Sequence, residues 1–114
     1  GEPSANPADR LVQQAESLLS RQEERFSVAE TEEMLGLLRG AIEAYAALTM
    51  LSPGRPGDVR FEHAQNMLQA YIPELLDRAI TRYQQVILSA SDATEVARQG
   101  LAGMRLLRAT LPSQ

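Results

Sequence analysis

A chain of 114 residues, 44% apolar and 23% charged, has the makeup of one globular domain and is too apolar for disorder. Its net charge of −4 gives no basic footprint for nucleic acid, and the lack of cysteine excludes disulfides, thiolate catalysis and thiolate metal sites. No apolar run approaches the ~20 residues of a membrane-spanning helix.

Residues 1–6 read as a linker or tail and 7–111 as a single domain, which fits a piece of a longer protein. The first helix is predicted over about 7–25. Asn6 can cap it, Pro7 is preorganised for its first position, and Asp9 suits its positive end. Leu11, Ala15, Leu18, Leu19 and Phe26 form its apolar stripe.

A second start follows at Ser27, where Glu30 three positions on completes a capping-box pattern. The second helix, 28–51, carries Met34, Leu35, Leu38, Ala41, Ile42, Tyr45 and Leu48 on one face. A continuous rod would set the first two stripes roughly 140° apart at ~100° per residue, so a break is expected near Phe26-Ser27. Two prolines and two glycines between Ser52 and Asp58 then stop the helix, and Asp58 can cap the next one.

The third helix is predicted over about 59–88, with a kink at Pro73. Phe61, Ala64, Leu68, Tyr71 and Ile72 form a stripe before the proline; Leu75, Leu76, Ala79, Tyr83 and Val86 form one after it. Counted at ~100° per residue the two stripes run on without a phase jump, and Pro73 falls on the solvent side. The alternative is a helix that stops at Tyr71 and restarts with Pro73 as its first residue. Asp92 and Glu95 announce a fourth helix over about 93–110, ended by Pro112. Its expected core stripe is Val96, Gly100, Met104, Leu107 and Leu111, with Gly103 on the flank. Two glycines near a buried face point to close approach of a neighbouring backbone, or are simply tolerated at ~1 kcal/mol each. The fold class is therefore all-α, an antiparallel bundle of four helices.

Chemistry is sparsely signalled. His63 is the only histidine; di-metal sites in helical bundles need Glu-x-x-His from two helices, so a solvated surface histidine is the expectation. Glu23, Glu24, Glu30, Glu32 and Glu33 read as a solvated helix end, the alternative being a group that attracts a cation or a basic partner. Arg98, Arg105 and Arg108 form either a solvated face or a docking strip for an acidic helix or anionic lipid. Tyr45, Tyr71 and Tyr83 all fall on core stripes, where they line an interhelical pocket or sit at the core edge with the hydroxyl in water. Leu37, Met50, Leu51, Leu88 and Leu106 lie off the stripes and are candidate contacts for a partner.

All eleven basic residues are arginine, in keeping with a GC-rich coding bias. The stretch Leu68 to Leu76, with Tyr71-Ile72-Pro73, a Leu pair and Tyr83 ten residues after the proline, resembles the XpaC-like helical proteins. That family is named for hydrolysis of a halogenated indolyl phosphate and is linked with toxic-anion-resistance proteins. Ala70 and Glu74 depart from its pattern, as does the lack of lysine. The resemblance implies a bacterial stress or envelope-associated setting and a cytoplasmic location, with a membrane tether outside this chain.

The expected function is a small non-catalytic helical interaction module that takes a protein partner or a second copy, with no cofactor and no metal. The alternatives are a phosphate-ester hydrolase, as the family name implies, and a ligand-binding sensor bundle.

Overall fold

The structure, a computed structural model, describes residues 6–20, 28–51, 57–89 and 95–112. Its elements are α1 (Pro7–Ser20), α2 (Val28–Leu51), α3 (Val59–Asn66), a π turn (Met67–Tyr71), α4 (Ile72–Ser89) and α5 (Glu95–Ala109). Because α3, the π turn and α4 follow one another without a gap, they make one rod, and the described residues form an all-α bundle of four rods. The central member is α2: α1, α5 and the α3–α4 rod all pack on it, and α4 also packs on α5.

Local chemistry sets the helix starts. The Asn6 Oδ1 accepts from the Ala8 N–H at 2.9 Å, capping α1 ahead of Pro7. The Asp58 carboxylate accepts from the N–H groups of Arg60 at 3.1 Å and Phe61 at 3.3 Å, which fixes the start of α3. Gly57, with φ of +80°, turns the chain into that cap. Phe26, the Ser27 capping box, the loop over 52–56, Asp92, and the acidic pair Glu23 and Glu24 lie outside the described residues.

In α2 and α4 the core follows the predicted stripes. Met34, Leu38, Ala41 and Tyr45 of α2 are buried, as are Leu75, Leu76, Ala79 and Tyr83 of α4. Full burial of a Leu or Met side chain contributes roughly 1.5–3 kcal/mol, so convergence on α2 is the main source of stability. In α1 the buried positions are Ala8, Val12, Ala15, Leu18 and Leu19, with Leu11 only partly buried at the edge.

The proline region departs from expectation in an informative way. The rod is continuous, but Pro73 is buried, not solvent-facing, and Tyr71 is 41% exposed instead of lying in the core. The two discrepancies have one cause. At the π turn the Ile72 N–H donates to the Met67 carbonyl, five residues back, so one extra residue is accommodated in the turn. The inward face therefore moves from Ala64 and Met67 to Ile72, Leu75 and Leu76, a shift of about one residue, or roughly 100°. Counting at a fixed angle misses that shift. The wider turn also gives the proline ring room from the preceding carbonyls.

In α5 the core positions are Ala97, Gly100, Leu101 and Met104, while Val96, predicted as core, is 40% exposed. The two glycines mark close approach to α2. A Cβ built on Gly100 would lie 2.6 Å from Thr31 Cγ2, and one on Gly103 would lie 2.7 Å from Leu35 Cδ2. The inward face is set by where the helix has no side chain, which turns Ala97 inward and Val96 out.

Candidate functional site

Three polar side chains from three helices meet where α1 begins, α2 nears its end and α3 begins. Asp9 sits in the first turn of α1, Tyr45 in the last two turns of α2, and His63 in α3. The Tyr45 hydroxyl donates a short hydrogen bond to Asp9 Oδ1, and His63 Nε2 lies 2.9 Å from the same oxygen. The two rings meet edge-on, with centroids 5.7 Å apart and planes at 78°. Tyr45 is fully buried, whereas the side chains of Asp9 and His63 are 27% and 43% exposed.

This geometry orders the charges. Partial burial opposes ionisation of Asp9, yet the hydrogen bonds from Tyr45 and His63 and the charge of His63 outweigh it and hold the carboxyl below its ordinary range. Burial, followed by the hydrogen bond to Asp9 and the charges of Asp9 and Glu16, pushes the Tyr45 phenol well up. The phenol therefore stays a donor and the carboxylate an acceptor at neutral pH. The arrangement is a polar clasp that ties α1 and α3 to α2. His63 is a surface residue, as its position predicts, but an anchored one. Helical spacing places Tyr45 on a buried stripe; it carries no information that Asp9 lies opposite.

The predicted contact residues separate. Met50 and Leu88 are each 78% exposed and Leu106 is 71% exposed. Leu37 is partly buried against the core and so is not a free contact, while the surroundings of the Leu51 side chain lie outside the described residues. Met50 belongs to the end where α2 gives way to α3, and Leu88 to the opposite end, where α4 finishes. Val59, which sequence reading passes over, is 75% exposed at the Met50 end. Its place directly after the Asp58 cap is the signal that was available.

The arginine strip is partly tied down. Arg105 Nη2 donates to Gln84 Oε1 at 2.9 Å, and Arg108 Nε lies 3.0 Å from Asp77 Oδ1, so both reach across to α4. Arg98 is exposed. The tyrosines do not share a pocket: Tyr45 and Tyr83 are fully buried and Tyr71 faces out.

Among the described residues no set of three or more His, Cys, Asp or Glu side chains comes together as metal ligands. No helix among them is long and apolar enough to cross a membrane. No protein-family model matches the chain, and neither a curated protein nor a solved structure matches it at a significant level.

Proposed function

We propose that this chain is a small non-catalytic interaction module that associates through the end of the bundle where α2 gives way to α3, with a second copy or another helical protein. The observation that supports this is the pairing of Met50 and Val59, 78% and 75% exposed, at that one end. Isolated exposed apolar side chains are ordinary on a monomer. Two large ones at the same end of the bundle, where the clasp of Asp9, Tyr45 and His63 also lies, offer apolar contact area to a partner. Leu88 and Leu106 lie away from it and are peripheral to this reading. The resemblance around Tyr71-Ile72-Pro73 extends the proposal to an accessory role in a bacterial stress or envelope-associated system, in the cytoplasm.

The test is the mass of the chain by light scattering across a concentration series, with co-purification from cell extract. A double substitution, Met50→Asp with Val59→Asp, is expected to abolish association. It should change stability by no more than about 0.5 kcal/mol, since both side chains are exposed. A chain that is monomeric at every concentration and retains no partner overturns the reading.

A further inference from the structure

Two helices of the bundle turn a charged and apolar ridge outward. On α2, Arg39, Glu43, Ala47 and Met50 are all exposed; on α5, Glu95, Arg98, Ala102 and Leu106 are. At ~100° per residue each set falls within an arc of about 80°, so each runs as one line along its helix. Gly36 continues the α2 line and has no atom within 4 Å of a built Cβ, which leaves that side of α2 open there. The α5 line points away from α2, because Gly100 and Gly103 take the side that meets Thr31 and Leu35. Met50 and Leu106 are 78% and 71% exposed. No ion pair among the described residues engages Arg39, Glu43, Glu95 or Arg98.

The two ridges match in length and in chemical order. From Arg39 to Met50, as from Glu95 to Leu106, is eleven residue steps, about 16 Å of helix. Laid side by side in the same direction, they set Arg39 against Glu95, Glu43 against Arg98, Ala47 against Ala102 and Met50 against Leu106. Every pair stays level to within about 1.5 Å, the rise of one residue. Two opposite-charge pairs are followed by a small pair that admits close approach and by an apolar pair. Run in opposite directions, the same ridges put Met50 on Glu95 and Leu106 on Arg39. Two α2 ridges match no better: parallel they set like charge on like, and antiparallel they set Met50 on Arg39. Within one chain the ridges face apart, so their complementarity is available only between copies.

We propose that the α2 ridge of one copy docks in parallel along the α5 ridge of a second copy. This rests on the association proposed above for the Met50 end, and gives it a partner and a register. Because the two faces differ, the contact is heterologous: each copy of a pair keeps one ridge unused, and further copies add head to tail. A single pair of helices is smaller than a stable interface, so the dissociation constant should be on the order of 100 μM.

The experiment follows mass by sedimentation equilibrium up to about 1 mM chain, well above that constant. The native chain should grow past the dimer as concentration rises, and less so as salt is raised. Glu43→Arg sets two cations together and Arg98→Glu two anions, so each variant alone should associate about tenfold more weakly. An equimolar mixture of the two variants restores opposite charges at both contacts and should associate as the native chain does. Leu106→Asp should abolish association. Self-association that ignores both reversals, or a mixture no stronger than its components, overturns this register and leaves the association at the Met50 end standing. A chain monomeric throughout the range overturns it as well; retention of another protein from cell extract then keeps the broader reading, and its lack ends both.

Discussion

At the scale of single residues, three glycines in helix interiors separate packing from propensity. Gly36 has nothing within 4 Å of a built Cβ, so Gly36→Ala should gain about 1 kcal/mol from helix propensity alone. Gly100→Ala would place its methyl 2.6 Å from Thr31 Cγ2, on a buried β-branched residue with little freedom to move. A loss of about 1–3 kcal/mol is expected. Gly103→Ala meets only the flexible end of Leu35, so its outcome should fall between the two. Urea denaturation of the three variants checks the order, and a Gly100→Ala as stable as Gly36→Ala would refute close helix approach. The clasp allows a second contrast at this scale. Tyr45→Phe removes a buried donor to a charged acceptor and should cost about 1.5 kcal/mol. His63→Ala removes a half-exposed partner and should cost less than about 1 kcal/mol.

At the scale of elements, the rod of α3 and α4 carries a dependence between an extra residue and a proline. Deleting Ala70, which is exposed, would convert the π turn to regular α-helix while keeping both apolar faces inward. Pro73 would then meet the full clash of a helix interior, costing about 3 kcal/mol. Adding Pro73→Ala to the deletion should recover most of that loss. Pro73→Ala alone should lose stability modestly, because the ring is buried. Denaturation midpoints for the three variants give the coupling directly. Independent, additive effects would mean that the wide turn has another origin.

At the scale of the whole molecule, the clasp makes stability depend on pH in two windows. The folded state holds Asp9 below its ordinary value near 4. Its contribution is therefore complete above about pH 4 and is lost as pH falls through the lower folded value. Tyr45 is held above its ordinary value near 10. Its contribution is complete below about pH 10 and declines as pH rises toward the folded value. The stability difference between the native chain and Tyr45→Phe should accordingly shrink from about pH 10 to pH 12. A difference that stays constant over that window would show that the phenol is not held by Asp9.

The division between what was legible in the sequence and what was not follows from the range of the forces involved. Helix existence, the caps at Asn6 and Asp58, and the core stripe of α2 were readable, because caps act over two or three residues and a stripe repeats every turn. The continuity of the rod through Pro73 was readable for the same reason. The inward rotation of Pro73 and the outward turn of Tyr71 were not, since counting at a fixed angle assumes a regular helix and the π turn breaks that regularity. The clasp required α1, α2 and α3 to be in register: Asp9 and His63 are 54 positions apart, and nothing local joins them. The facing of α5 was likewise decided by contact, where Gly100 meets Thr31. Local pattern determined which segments became helices and roughly which side of each was greasy. Only tertiary packing decided how far each helix turned about its own axis, because that rotation minimises clashes and voids among side chains distant along the chain.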